Sequence, residues 1–344
     1  MFESLRLPLV VAPMGGQSTP ELAAAGSNAG ALGSLACAYQ EPSAIGDAIA
    51  RARQLTAKPF MVNLFNRLPA PSMDEAVVDH AVSATRGIRA ELGLADPPIK
   101  PPFHPDFDEQ MDVILREKPA VFSFCFGVLE SSYLRACKER GIFVMGTATT
   151  VEEALALADS GVDAITAQGT EAGGHRAIFD PAAPEPGIST LGLVRAIAAR
   201  VKLPIVAAGG LMTGADIARA LDAGATAAAL GTAFLLCPEV TVSAPWREAL
   251  RTGGETVLTR AFSGRLARGL ANRFHREIHA WMPFPAQNAF TRDIRNASAK
   301  AGRADFLSLW TGTGVSRIRS GLTAAQIIAE LETELRESVI RGRI

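Results

Sequence analysis

The sequence predicts an α/β protein, a (β/α)₈ TIM barrel with a helical insert and a C-terminal helical extension. Three observations lead there. Short buried apolar runs alternate with amphipathic helical patterns. Eight such runs occur, near residues 10, 33, 62, 122, 144, 166, 206 and 229, the number of strands in a closed barrel. The length, 344 residues, suits one barrel with additions. An open doubly wound sheet is the alternative, but its Gly-x-Gly-x-x-Gly after the first strand is absent.

The elements follow in order. The first run is Leu9-Val10-Val11-Ala12-Pro13-Met14, and a helix starts at Thr19-Pro20-Glu21, with Thr19 as cap and Pro in the first turn. Residues 31–35 form the second run, residues 42–55 a helix, and Phe60-Met61-Val62-Asn63-Leu64 the third run. Residues 72–93 read as a long helix and the Pro-rich residues 97–105 as an irregular connection. A strand at 120–124, a helix at 129–140 and a strand at 142–145 come next. Thr150-Val151-Glu152-Glu153 has the pattern of a capping box, in which Thr150 accepts from the residue-153 amide and Glu153 reaches back. Residues 164–167 form the sixth strand, followed by a loop to about 190 and a helix to 200. A strand at 204–208, a helix opened by Thr213 and ended at Gly224, and a last strand at 227–230 complete the alternation. Residues 1–236 thus read as the barrel, with an insert at about 65–118. Residues 237–344 read as helices and loops without clear strands, packing on the barrel with the insert as a cap.

Composition narrows the function classes. Apolar residues make up 48 %, aromatics only 6 %, and the net charge is −1 with both signs interspersed, unlike a nucleic-acid binder or a membrane-surface protein. No stretch is long and apolar enough to span a bilayer, and the N-terminal run lacks a basic flank, so a cytoplasmic location is expected. Cys37, Cys125, Cys137 and Cys237 are widely spaced, which fits reduced thiols better than disulfides or a zinc site. His275 and His279 are four apart but lack a third ligand, so a solvated helix face is the better reading and no metal is expected. The sequence sets no oligomeric state.

Barrel active sites lie in the loops after the strands. After the seventh and eighth strands come Gly209-Gly210-Leu211 and Gly231-Thr232-Ala233. Either glycine loop alone reads as a tight turn. Together, in these two positions, they read as a phosphate grip. After the sixth strand comes Gln168-Gly169-Thr170-Glu171-Ala172-Gly173-Gly174-His175. Gly173-Gly174 lets the chain bring the His175 imidazole over a flat ligand, and histidine can take a proton at neutral pH. Glu171 reads either as a base or as a carboxylate holding the loop, with the second favoured. Asn63 and Gln168 offer a donor and an acceptor each at strand ends, for a ligand edge or for tying loops.

Together these segments resemble the nitronate monooxygenase family, also called 2-nitropropane dioxygenases. The resemblance covers residues 12–235, most specifically Gln168-Gly-Thr-Glu-Ala-Gly-Gly-His175, then Ala207-Ala208-Gly209-Gly210 and Leu230-Gly231-Thr232-Ala233-Phe234. Phe60-Met61-Val62-Asn63-Leu64 and Ser263-Gly264-Arg265-Leu266-Ala267-Arg268-Gly269 support it. Where the family often has Trp-Ala-Gly-Gln-Gly, this chain has Trp310-Thr311-Gly312-Thr313-Gly314. The resemblance implies a barrel with non-covalent FMN, contacted by Asn63, Gln168, Gly173, Gly174, Gly209, Gly210, Ala229, Leu230, Gly231 and Thr232, with Pro13 and Met14 along the flavin ring. It implies His175 as base, and oxidation of an alkyl nitronate, or a nitroalkane, with O₂ to a carbonyl compound and nitrite. An NAD(P)H-dependent quinone or enoyl reductase on the same barrel is the nearest rival. A non-redox barrel binding a phosphorylated metabolite is the other.

Overall fold

The computed structural model describes residues 1–341. Eight parallel strands form the barrel: β1 (Leu9–Val11), β2 (Gly33–Ala36), β3 (Phe60–Phe65), β4 (Val121–Cys125), β5 (Phe143–Ala148), β6 (Ala164–Gln168), β8 (Ile205–Ala208) and β9 (Ala227–Leu230). The sheet runs β1-β9-β8-β6-β5-β4-β3-β2. Leu32 N–H to Leu9 O (2.8 Å) and Val11 N–H to Leu32 O (2.9 Å) join its two ends beside β2. All eight predicted runs are strands of this barrel.

The short strand β7 (Gly174–His175) lies outside it. It pairs antiparallel with β11 (Ala267–Leu270), which pairs with β10 (Thr256–Thr259). Contrary to the sequence pattern, the loop after β6 contains a strand, and the tail contains two. Strands of two to four residues, one of them carrying Arg268, are too short for a period-two pattern to register.

Side-chain alternation along the strands sorts the barrel into two cores. Inward positions Val10, Met61, Val121, Met145, Ala164, Val206 and Ala227 close the bottom of the barrel, with Phe2 packed beneath them against Phe143. Outward positions such as Val11, Val62, Phe122, Val144, Ile165, Ile205 and Leu230 pack against the helices.

Helices α1 (Pro20–Asn28), α2 (Pro42–Leu55), α4 (Phe107–Glu117), α5 (Ser131–Glu139), α6 (Val151–Ser160), α7 (Thr190–Ala198) and α8 (Gly214–Asp222) surround the strands. The helix α3 (Glu75–Glu91) precedes α4 and stands outside this ring. Thr19 caps α1 by accepting from Leu22 N–H, and Thr213 with Asp216 forms a full capping box on α8. At α6 the box is shifted. Thr150 accepts from Glu153 N–H as expected, but Glu153 reaches Thr149 and, with its other oxygen, the amide of Phe179. A carboxylate that ties the β6 loop down is not free to complete the cap.

After β9 the chain forms α9 (Ala244–Thr252), β10, β11, α10 (Arg273–Glu277), α11 (Ala286–Phe290) and α12 (Arg292–Lys300), then returns as α13 (Ala324–Arg341). α13 packs against α8 and α1 and so occupies the eighth position of the helical ring. The approach to α8 is close: a Cβ on Gly214 would sit 2.2 Å from the Leu335 nitrogen.

The insert and the tail meet above the barrel. Arg89 of α3, 1 % exposed, donates to Asp293 of α12 at 2.7 Å and to the Phe290 carbonyl at 2.9 Å. Its guanidinium also lies over the Phe290 ring, 4.4 Å from the centroid. Ala81 packs with Met282, Ala286 and Phe290, and Ile88 with Phe262, Phe274 and Ile294.

Candidate active site

At the C-terminal ends of the strands the inward positions change from aliphatic to polar: Asn63, Ser123, Thr147, Thr166 and Gln168. They floor a cavity of about 670 Å³, a volume within the range of small-molecule sites. Pro13, Met14, Asn63, Gln168, Gly173, Gly174, His175, Gly209, Gly210, Ala229, Gly231 and Thr232 all line it. Leu230 does not. It follows the inward-facing Ala229, so the alternation turns its side chain into the outer core, where it is 1 % exposed.

Gly209 (φ 129°) and Gly210 (φ 68°) adopt backbone conformations that suit glycine, and a Cβ on Gly210 would lie 2.9 Å from the Glu171 Cβ. Glu171 accepts from the Thr190 amide and hydroxyl, both at 2.9 Å, so it holds the loop. Gln168 also serves the loop. Its Oε1 accepts from Arg176 and from Ala177 N–H, while Nε2 donates to the His175 carbonyl at 3.0 Å. Arg176, itself 1 % exposed, is held by Glu185 at 2.7 Å. Asn63 gives Nδ2 to the Ser123 hydroxyl at 2.9 Å.

His175 is fixed from both sides. Its backbone pairs with Ala267 of β11, and its Nε2 lies 2.9 Å from the Ser263 hydroxyl. Phe65, Phe126, Phe284 and Trp310 surround the ring, with centroids 5.5 to 6.2 Å away. Burial among these rings, then the positive charges of Arg265 and Arg295, push its pKa from 6.5 down to about 3. The imidazole is therefore neutral at pH 7. Among the described residues Arg265 has no carboxylate within ion-pair distance; it stacks on Phe126, 3.7 Å from the centroid, and donates to the Ile178 carbonyl. Burial lowers its pKa to about 10, which leaves it charged.

The tail supplies lining residues that the sequence pattern does not single out. Arg292 and Arg295, three apart on α12, line the cavity, and neither has a carboxylate within ion-pair distance among the described residues. Arg295 donates to the Asn288 carbonyl at 2.6 Å. Among the described residues no Asp or Glu lines the cavity. Tyr39 also lines it, its phenol held well above the ordinary range by burial. So do Ser243 and Trp246, whose buried Oγ and Nε1 find no partner among the described residues. Cys125 lines it as a protonated thiol, with burial raising its pKa to about 12. The Trp310–Gly314 segment closes over the β6 loop: Gly312 N–H donates to Thr232 Oγ1 at 2.9 Å, and a Cβ on Gly173 would sit 2.4 Å from the Gly312 nitrogen.

The nitronate monooxygenase family model matches residues 2–334. The chain belongs to the nitronate monooxygenase family. It is 42 % identical to the nitronate monooxygenase of Pseudomonas aeruginosa, over 96 % of this chain and 97 % of that protein. The crystal structure of nitroalkane oxidase from Streptomyces ansochromogenes superposes with a TM-score of 0.92 at 38 % identity, covering 99 % of each chain. FabK from Thermotoga maritima shares the fold less closely, with a TM-score of 0.75 at 27 % identity, covering 100 % of this chain and 97 % of that one. The chain is thus a nitronate monooxygenase-like oxidoreductase on a TIM barrel, an enzyme of small-molecule substrates. Among the described residues no helix is long and apolar enough to cross a membrane.

Proposed function

We propose that this enzyme oxidises alkyl nitronates with O₂ to a carbonyl compound and nitrite, using FMN held non-covalently in the cavity above β1, β3, β6, β8 and β9. The observation that carries the reading is the charge of the cavity. Among the described residues its lining holds two cations, Arg292 and Arg295, no carboxylate, and an imidazole that is neutral at pH 7. A nitronate is an anion and suits that field. Arg265, buried and with no carboxylate within ion-pair distance among the described residues, adds to it.

The residues fit FMN. The two glycine loops, Gly209-Gly210 and Gly231-Thr232, bring backbone close to the cavity and suit the phosphate. Pro13, Met14 and Ala229 offer a low wall for the ring, and Asn63, Gln168, Gly173 and Gly174 lie where its polar edge would sit. The flavin supplies the redox chemistry when bound, and the barrel orients it.

The state of His175 ranks the substrates. A neutral nitroalkane must lose an α-proton first, and His175 is the lining residue suited to take it. An imidazole whose pKa is near 3 is available but weak, because efficient general bases have pKa values near the working pH. A nitronate needs no proton removed. The site therefore favours nitronates, with neutral nitroalkanes as slower substrates that depend on His175. Nitrite release from a nitronate and from its parent nitroalkane, compared at equal concentration, tests this. Faster turnover of the neutral form would overturn it.

A further inference from the structure

Ser263 is 1 % exposed and does not line the cavity, yet its hydroxyl lies 2.9 Å from His175 Nε2. A hydroxyl has one proton to give. Two acceptors are in reach: Nε2, and the Arg265 carbonyl at 3.0 Å. That carbonyl has no other donor among the described residues, and Arg265 is itself buried, so turning the hydroxyl away would leave a buried acceptor unsatisfied. Directed at the carbonyl, Ser263 Oγ keeps its lone pairs for two donors. The Arg265 N–H approaches it at 3.3 Å, and Nε2 is the other neighbour.

We infer that Ser263 is a positioning residue that holds His175 as the Nε2–H tautomer and so makes Nδ1 the proton-accepting nitrogen of the site. The chain of bonds runs from Nε2–H to Ser263 Oγ, and from Ser263 O–H to the Arg265 carbonyl. Nδ1 has no protein partner among the described residues. The β7–β11 pairing sets this register, because Ala267, opposite His175, lies four residues beyond Ser263. The Ser263-Gly264-Arg265 turn itself needs glycine at its centre. Gly264 has φ 82°, and a Cβ there would sit 2.2 Å from the Met282 carbonyl. When Nδ1 accepts a substrate α-proton, the ring becomes an imidazolium whose Nε2–H still points at Ser263. The positive charges of Arg265 and Arg295 oppose that state, so the proton must leave again for the next turnover.

This inference rests on the base role proposed above, but its first test needs no turnover. Nitrogen-15 NMR of the flavin-loaded protein with labelled histidine reads the two ring nitrogens directly, His175 being assigned by its loss in His175→Asn. The expected pattern near neutral pH is a protonated Nε2 and an unprotonated Nδ1. The reverse pattern, an averaged pair or a doubly protonated ring overturns the inference. In Ser263→Ala the two shifts should move toward each other. In the same variant kcat/KM on a neutral nitroalkane should fall about three- to tenfold more than on the nitronate, the effect of one hydrogen bond. Ser263→Thr, which keeps the hydroxyl, should restore the wild-type pattern. Equal losses on both substrates, or an unchanged tautomer in Ser263→Ala, overturn it. Failure of the wild type to turn over nitroalkanes would remove the base role, while the NMR pattern still decides the tautomer.

Discussion

Acidification should expose the neutral state of His175 as a loss of stability. In the unfolded chain this imidazole has its ordinary pKa of 6.5; in the folded protein burial and the flanking arginines hold it at about 3. Between those values the unfolded state binds the proton and the folded state does not, so stability falls as pH falls. At about pH 5 the unfolded chain's preference for the proton is worth ~2 kcal/mol. The ring is partly open to the cavity, which reduces the expected loss to about 1 kcal/mol. The assay is denaturant unfolding of wild type and His175→Asn at about pH 7 and about pH 5. The variant removes the titrating group, and other acid-sensitive groups, such as His104 and His275, both lowered mainly by burial, cancel in the comparison. Wild type should lose about 1 kcal/mol more than the variant on acidification. Equal losses, or a larger loss in the variant, would refute the claim that His175 is held neutral.

His175→Asn should abolish nitrite release from neutral nitroalkanes while nitronate turnover continues; equal activity of variant and parent on the neutral substrate would remove the base assignment. Arg292→Ala or Arg295→Ala should raise KM for a small nitronate about tenfold with a smaller change in kcat, and added salt should narrow the gap; a salt-independent effect would speak against charge attraction. Gly210→Ala, with φ 68° and a Cβ 2.9 Å from that of Glu171, should weaken flavin retention at least about tenfold, measured by dialysis and absorbance. Asp293→Asn strips the partner at 2.7 Å from the buried Arg89, leaving Asp96 at 3.7 Å, and should cost about 2–3 kcal/mol in urea unfolding.

The barrel was legible because each strand is a buried run bounded by turn residues, and the two glycine loops could be placed by counting strands. The glutamine-to-histidine segment was legible as a candidate site for the same reason, and Gln168, Gly173, Gly174 and His175 line one cavity. The outward turn of the Leu230 side chain was not legible, because a loop motif does not say which of two successive side chains faces inward; the alternation along β9 decides that. The pairing of β7 with β11 was hidden by its two-residue length, and with it the contact between His175 and Ser263, 88 residues apart. Arg292 and Arg295 could not be separated in sequence from an ordinary solvated helix face. Their meaning comes from the Arg89–Asp293 pair and the Phe290 packing, which seat α12 over the barrel mouth.

If the proposed reaction is right, a flavin bound in this cavity takes electrons from a nitronate. The most direct test is the visible spectrum of the purified, flavin-loaded enzyme under anaerobic conditions, with an alkyl nitronate and NADH added in separate cuvettes. The oxidised flavin absorbance should disappear with the nitronate and change little with NADH. Rapid bleaching by NADH with no response to the nitronate would contradict it and assign the barrel to a reductase.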